Sequence, residues 1–164
     1  MSQRDDVKWL VEQDKRVDLD ELIAEDPRAV RYVLSLTYRP EPEIRARAAR
    51  GIGVAARHHP DLVEQIVRRL IWAMNDESGT NALTVPEVLQ AVADERPDLL
   101  VSFVPDLTRL AADEGLKEGL TGVLETVVTR CPGSVGRSIQ DSLNKRLRKA
   151  ARKRKDHGSG WRKG

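Results

Sequence analysis

The densest concentration of one chemistry is a cationic run, Lys145, Arg146, Arg148, Lys149, Arg152, Lys153, Arg154 and Lys155, interrupted by Leu147, Ala150 and Ala151. Clustered cations attract polyanions by releasing condensed counterions. The run therefore reads either as a weak contact for nucleic acid or an acidic partner, or as a solvated extension of a final helix that keeps the protein soluble. No aromatic side chain interleaves it to stack on bases. Trp161 follows, between Gly160 and Arg162. An indole there either anchors in a partner's pocket or belongs to a loose terminus or cloning remnant. Trp72 stands in Ile71-Trp72-Ala73-Met74 and either packs in the core or is an exposed binding aromatic. Asp76 and Glu77, with Asp94, Glu95, Asp113 and Glu114, fall at helix ends or turns, where they form an acidic ridge along one edge or are ordinary solvated turn residues.

Metal and nucleophile chemistry find less support. His58 and His59 are adjacent, so on a helix their side chains diverge by roughly 100°, and no third ligand lies at a supporting spacing. A role at a helix end is the better reading. Cys131, the single cysteine, can form neither an intramolecular disulfide nor a cysteine cluster within one chain. Placed before Pro132 at an expected helix start, it would gain thiolate character from the helix dipole, but no His is near it in sequence. Gly51-Ile52-Gly53 lacks the third glycine of a nucleotide loop and sits inside a helical pattern, where it lets neighbouring helices approach closely. No phosphate-binding loop, Gly-x-Ser-x-Gly, His-Glu-x-x-His or EF-hand loop occurs. The expectation is a non-enzyme with no cofactor and no metal.

The elements that position these residues follow from composition and spacing. Apolar residues make up 40% of the 164 and aromatic residues 4%, so the core must be built from Leu, Val, Ile and Ala, which suits helices packed on helices. The formal charge of +2 is uneven. Residues 144–164 hold 10 of the 28 Lys and Arg but one of the 26 acids, leaving 18 bases against 25 acids, a net of −7, before them. The charged opening and the lack of an apolar stretch of roughly 20 residues predict a cytoplasmic protein without a membrane span.

Four prolines, Pro27, Pro60, Pro97 and Pro132, are spaced by 33, 37 and 35 residues, within the period of helical-hairpin repeats. Laid over one another, the flanking segments align in columns. After the proline, Val30, Val63, Leu100 and Val135 coincide, then Val33, Ile66 and Phe103, with Ser138 breaking the column, then Leu34, Val67, Val104 and Ile139. Before it, Leu22, Ala55, Val92 and Val127 coincide, as do Leu19, Ile52, Leu89 and Leu124. These offsets trace one stripe of a helix on each side of the proline, which lacks an N–H and has a helical φ, and so suits a helix start. Asp26 reads as an N-cap, and Thr84-Val85-Pro86-Glu87 as a capping box. Residues 39–43, 75–81 and 112–115 read as links. Gly119, Gly122, Gly133 and Gly136, with Ser134, Ser138 and Ser142, make the fourth unit look worn, as a terminal repeat does.

The stretches ARAARGIGVAARHHPDLVEQIVRRLIWAMNDESG and TVPEVLQAVADERPDLLVSFVPDLTRLAADEG resemble HEAT repeats of the type grouped with phycobilisome lyases, over roughly 19–147. Asn75-Asp76-Glu77-Ser78-Gly79 followed by Pro86-Glu87 is similar to a linker of small prokaryotic HEAT-repeat proteins, with Thr80-Asn81-Ala82-Leu83-Thr84 replacing that linker's Gly- and aromatic-containing stretch. The resemblance implies an all-α fold, an α-solenoid of about four HEAT-like hairpins over 1–147; the uneven charge predicts a flexible basic tail at 148–164 after it. The resemblance further implies a protein-binding adaptor or assembly factor of the prokaryotic cytoplasm working through the solenoid groove. The alternative is a nucleic-acid-binding module using the basic segment.

Overall fold

A computed structural model describes residues 2–76 and 84–133, and beyond them 136, 141, 144, 145, 148, 149, 151–153 and 155. Among the described residues up to 133, eight α-helices follow in order: α1 (Gln3–Glu12), α2 (Arg16–Glu25), α3 (Ala29–Leu36), α4 (Pro42–His58), α5 (Pro60–Asp76), α6 (Val85–Glu95), α7 (Val104–Leu110) and α8 (Glu114–Arg130). A 3-10 helix, Pro97–Phe103, leads directly into α7. The described residues contain no strand.

The proline period is the period of the fold. Helices α2, α4, α6 and α8 end at Glu25, His58, Glu95 and Arg130, each two residues before its proline. The residue between, Asp26, His59, Arg96 or Cys131, has φ of −136°, −134°, −139° or −124°, because the ring of a following proline excludes helical backbone. Each donates its N–H to the carbonyl four residues back: Leu22, Ala55, Val92 and Val127. Those acceptors form the aligned column read from the sequence. The remaining columns are the core. Val30, Val33, Ile52, Val63, Val67, Leu89, Val92, Leu100, Val104 and Val127 are buried, with Leu22 and Leu34 partly so. Val135 and Ile139 lie outside the described residues.

Helix packing extends the pattern. Along one layer α2 packs on α4, α4 on α6 and α6 on α8, while α1 packs on α3 and α5 on α7 beside it. Five hydrogen bonds join residues 36 apart: Arg47 to the Val11 carbonyl, Arg50 to Asp14, His59 to the Ile23 carbonyl, Gln90 to Thr126 and Arg130 to the Asp94 carbonyl. One repeat separates each donor from its acceptor. Glycine permits the closest approaches. A Cβ on Gly53 of α4 would sit 2.7 Å from the Ala91 carbonyl oxygen of α6, and one on Gly119 of α8 2.7 Å from Pro86 Cβ. Gly119 is thus a contact residue, not a sign of a worn unit.

Several local expectations are corrected. Helix α1 precedes the first aligned unit and was not read from the pattern. Ser2 caps it by accepting from the Asp5 N–H, and it buries Val7 and Val11. Among the described residues the eight helices given above are α1, three hairpins and α8, and the described residues from 141 to 155 are helical as well. Asp26 accepts from the Arg28 N–H at 2.9 Å, yet α3 begins only at Ala29. The Thr84 side chain makes no capping hydrogen bond at the start of α6. The third link is shorter than expected, because Asp113 caps α8 by accepting from the Gly115 N–H.

Candidate binding groove

The groove-facing side of α4 is set by its period. Arg47, Arg50, Val54 and Arg57 recur three, four and three residues apart, so they share one face, while Ala48, Ile52, Ala55 and Ala56 are buried. Together with the end of α1, α2, α6 and α8, this face lines an open groove of about 880 Å³. Leu19, Ala49, Val54, Ala91 and Gly119 contribute apolar floor, and charged side chains border it.

The charges are placed in register across the helices. Asp14 lies in the turn between α1 and α2 with φ of +52°, a left-handed conformation that Asp tolerates better than most side chains. From there it meets Arg50 at 3.2 Å, Arg16 at 3.3 Å and Arg47 at 3.9 Å. The hydrogen bond from Arg16, then the charges of Arg16, Arg50 and Arg47, hold its carboxyl below the ordinary value against a smaller desolvation effect. Arg47 also donates to the Glu12 carbonyl at 2.9 Å, tying α4 to the last turn of α1. At the other end of the stripe Arg57 bridges Asp20 of α2 at 3.8 Å and Glu95 of α6 at 3.2 Å. Gln90 of α6 donates to Asp94 at 2.9 Å and to Thr126 of α8 at 3.0 Å.

Five bases, Lys15, Arg16, Arg47, Arg50 and Arg57, and six acids, Asp14, Asp20, Glu87, Asp94, Glu95 and Glu118, line the groove. A nearly neutral, apolar-floored trough with hydrogen-bonding groups on both borders suits a polypeptide segment. It does not suit a phosphate backbone, which needs net positive charge along its path. Among the described residues, no group of three His, Cys, Asp or Glu side chains is placed to hold a metal.

Of the residues singled out first in the sequence, Asp94 and Glu95 line this groove, whereas Trp72 and the described bases of the cationic run do not. Trp72 lies on α5 and is 69% exposed, while its neighbours Ile71 and Met74 are buried, so the core-packing reading is corrected and the exposed aromatic remains. Asp76 closes α5; its side chain, with Glu77, Arg146, Arg154 and Trp161, lies outside the described residues. Lys145, Arg148, Lys149, Arg152, Lys153 and Lys155 are helical and exposed, so described residues on both sides of the expected 147/148 boundary are helical. The turn acids do not form one ridge. Arg130 at the end of α8 reaches the carbonyls at the end of α6, so the two helices run parallel, and Asp94 and Glu95 lie at the opposite end from Asp113 and Glu114.

His59 has the helix-end role expected of it: its Nε2 donates to the Ile23 carbonyl at 2.6 Å, joining the end of α4 to α2. Cys131 caps the C-terminal end of α8, and the helix expected to open after Pro132 lies outside the described residues. What the sequence reading missed was the groove stripe Arg47, Arg50 and Arg57 and its hub Asp14. The stripe's spacing was legible; the acids facing it were not, since they come from other helices one repeat away. Comparison with family models, curated proteins and solved structures returned no match, so a functional reading has to rest on the groove itself.

Proposed function

We propose that this chain is a short α-solenoid of HEAT-like hairpins that acts as a non-catalytic adaptor or assembly factor, holding a segment of another protein in its groove. One observation carries the reading: an open trough of about 880 Å³ with an apolar floor and nearly balanced charged borders, built from four successive helices of one layer. Stacked repeats characteristically use such an extended concave surface for recognition. The groove's ion pairs support it further, because side chains held in place by neighbours one repeat away lose less freedom on binding. The prokaryotic cytoplasm remains the proposed setting; no described helix is long and apolar enough to cross a membrane.

The test is site-specific photo-crosslinking in native cytoplasm. A photoreactive side chain at Gln90 in the groove and another at Trp72 on α5 each report the protein that touches them. The expected result is one discrete crosslinked protein from Gln90, lost when Val54→Glu places a charge on the groove floor. Crosslinks from Trp72 but none from Gln90 overturn the assignment.

A further inference from the structure

We propose that the N-terminal end of the helical stack is a docking surface for the basic C-terminal segment of a second copy of this chain. The groove takes no part in this contact.

The two helices at that end each bury one side and leave the other uncovered. On α2, Leu19 and Ile23 are buried, while Val17, Asp18, Glu21, Ala24 and Glu25 on the opposite side are all exposed, Val17 at 71%. On α1, Val7 and Val11 are buried, while Trp9 on the opposite side is 50% exposed, with Asp5 and Asp6 exposed near it. A terminal repeat is expected to present a polar outer face. Here the face carries an indole, a valine and five acids. The bases of these two helices are directed elsewhere. Arg4 and Lys8 line a hollow beside α3, and Arg16 pairs with Asp14 at the groove.

A partner for this end needs positive charge spread along about the length of a helix. The chain supplies one. Lys145, Arg148, Lys149, Arg152, Lys153 and Lys155 are helical and exposed. They follow α8, the last helix in the succession α2, α4, α6, α8, whereas the acidic face belongs to its first helices. An acidic surface on the first helices and an exposed basic segment after the last are the unlike charges that a heterologous, head-to-tail contact between copies requires.

The experiment uses the full chain in sedimentation velocity, over a concentration series at about 50 mM and about 500 mM salt, conditions that differ severalfold in screening length. Wild type is expected to associate with rising concentration at low salt, its weight-average mass moving to twice that of one chain and beyond, and to return to monomer at high salt. Glu21→Lys with Glu25→Lys, or Arg148→Glu with Arg152→Glu, should each give a monomer alone. An equimolar mixture of the two should associate again, which also shows that both are folded. Wild type that stays monomeric at every concentration in low salt overturns the proposal, as does association that neither variant disturbs. A chain that stays monomeric while its basic segment binds labelled RNA or DNA overturns it in favour of nucleic acid as the segment's ligand.

Discussion

The groove and the N-terminal end of the stack carry the same kinds of side chain in different arrangements. In the groove, Arg50 and Arg57 each meet an acid within 3.2 Å, and Asp14 gathers three arginines. At the end, Asp18, Glu21 and Glu25 stand exposed beside Val17. Repetition explains the contrast. Helices α2, α4, α6 and α8 pack in succession, so a charge on one can be answered from a fixed place on its neighbour. The outer sides of α1 and α2 are not covered by a further described helix, and their charges and apolar groups are left for another molecule.

The comparison breaks most visibly if the buried columns are disturbed. Leu89 is fully buried between α4 and α8 on α6, and Leu89→Ala should cost about 2–5 kcal/mol through lost burial and cavity formation. Val67→Ala, Val92→Ala and Val104→Ala, at sites that are equally buried, should each cost about 1–3 kcal/mol on the same grounds. Thermal unfolding checks both, at about 2–4 °C per kcal/mol for a chain of this size. Val17→Ala at the exposed end should stay within about 0.5 kcal/mol of wild type. Equal losses at Leu89 and Val17 would show that the two regions do not differ as described.

Gly53→Ala is the next largest. Helix propensity alone would make alanine better by about 1 kcal/mol. Its Cβ, however, would meet the Ala91 carbonyl oxygen at 2.7 Å, and backbone cannot yield as a side-chain tip can, so overpacking of about 1–3 kcal/mol should win. A stabilised Gly53→Ala variant in chemical denaturation would contradict the close approach of α4 and α6.

The smallest effect concerns Asp14. Its carboxyl titrates below the ordinary value in the folded chain, chiefly through Arg16. Its contribution is therefore fully present above the unfolded pKa of about 4 and is lost as pH falls through the lower folded value. Asp14→Asn should lower stability slightly at pH 7 and flatten its decline below about pH 4. An unchanged acid limb in pH-dependent denaturation would show that the hub does not couple to folding.

The fold was legible where proline and apolar spacing coincide. Pro27, Pro60, Pro97 and Pro132 mark four helix ends in the same geometry, and the described members of the columns anchored on them are buried or partly buried. Helix α1 was missed because QRDDVKWLVE mixes charges among few apolar residues, and its burial depends on a surface that α3 provides. Gly119 reads as a weak helix former in isolation, since the pyrrolidine that excludes a side chain there belongs to Pro86, 33 residues away. The groove was legible only in half. The arginine stripe on α4 has a helical period, but its answering groups, Asp14, Asp20 and Glu95, become neighbours only when three helices are stacked.

The groove assignment is tested most directly by the affinity of the protein captured from Gln90 for three forms of the chain: wild type, Val54→Glu and Trp72→Ala. Burying an unpaired carboxylate on an apolar floor costs several kcal/mol, so Val54→Glu should weaken binding by on the order of 100-fold or more, while Trp72→Ala stays within about twofold of wild type. Undiminished binding by Val54→Glu, with a large loss in Trp72→Ala, would contradict the account and move the binding face to the outer side of α5.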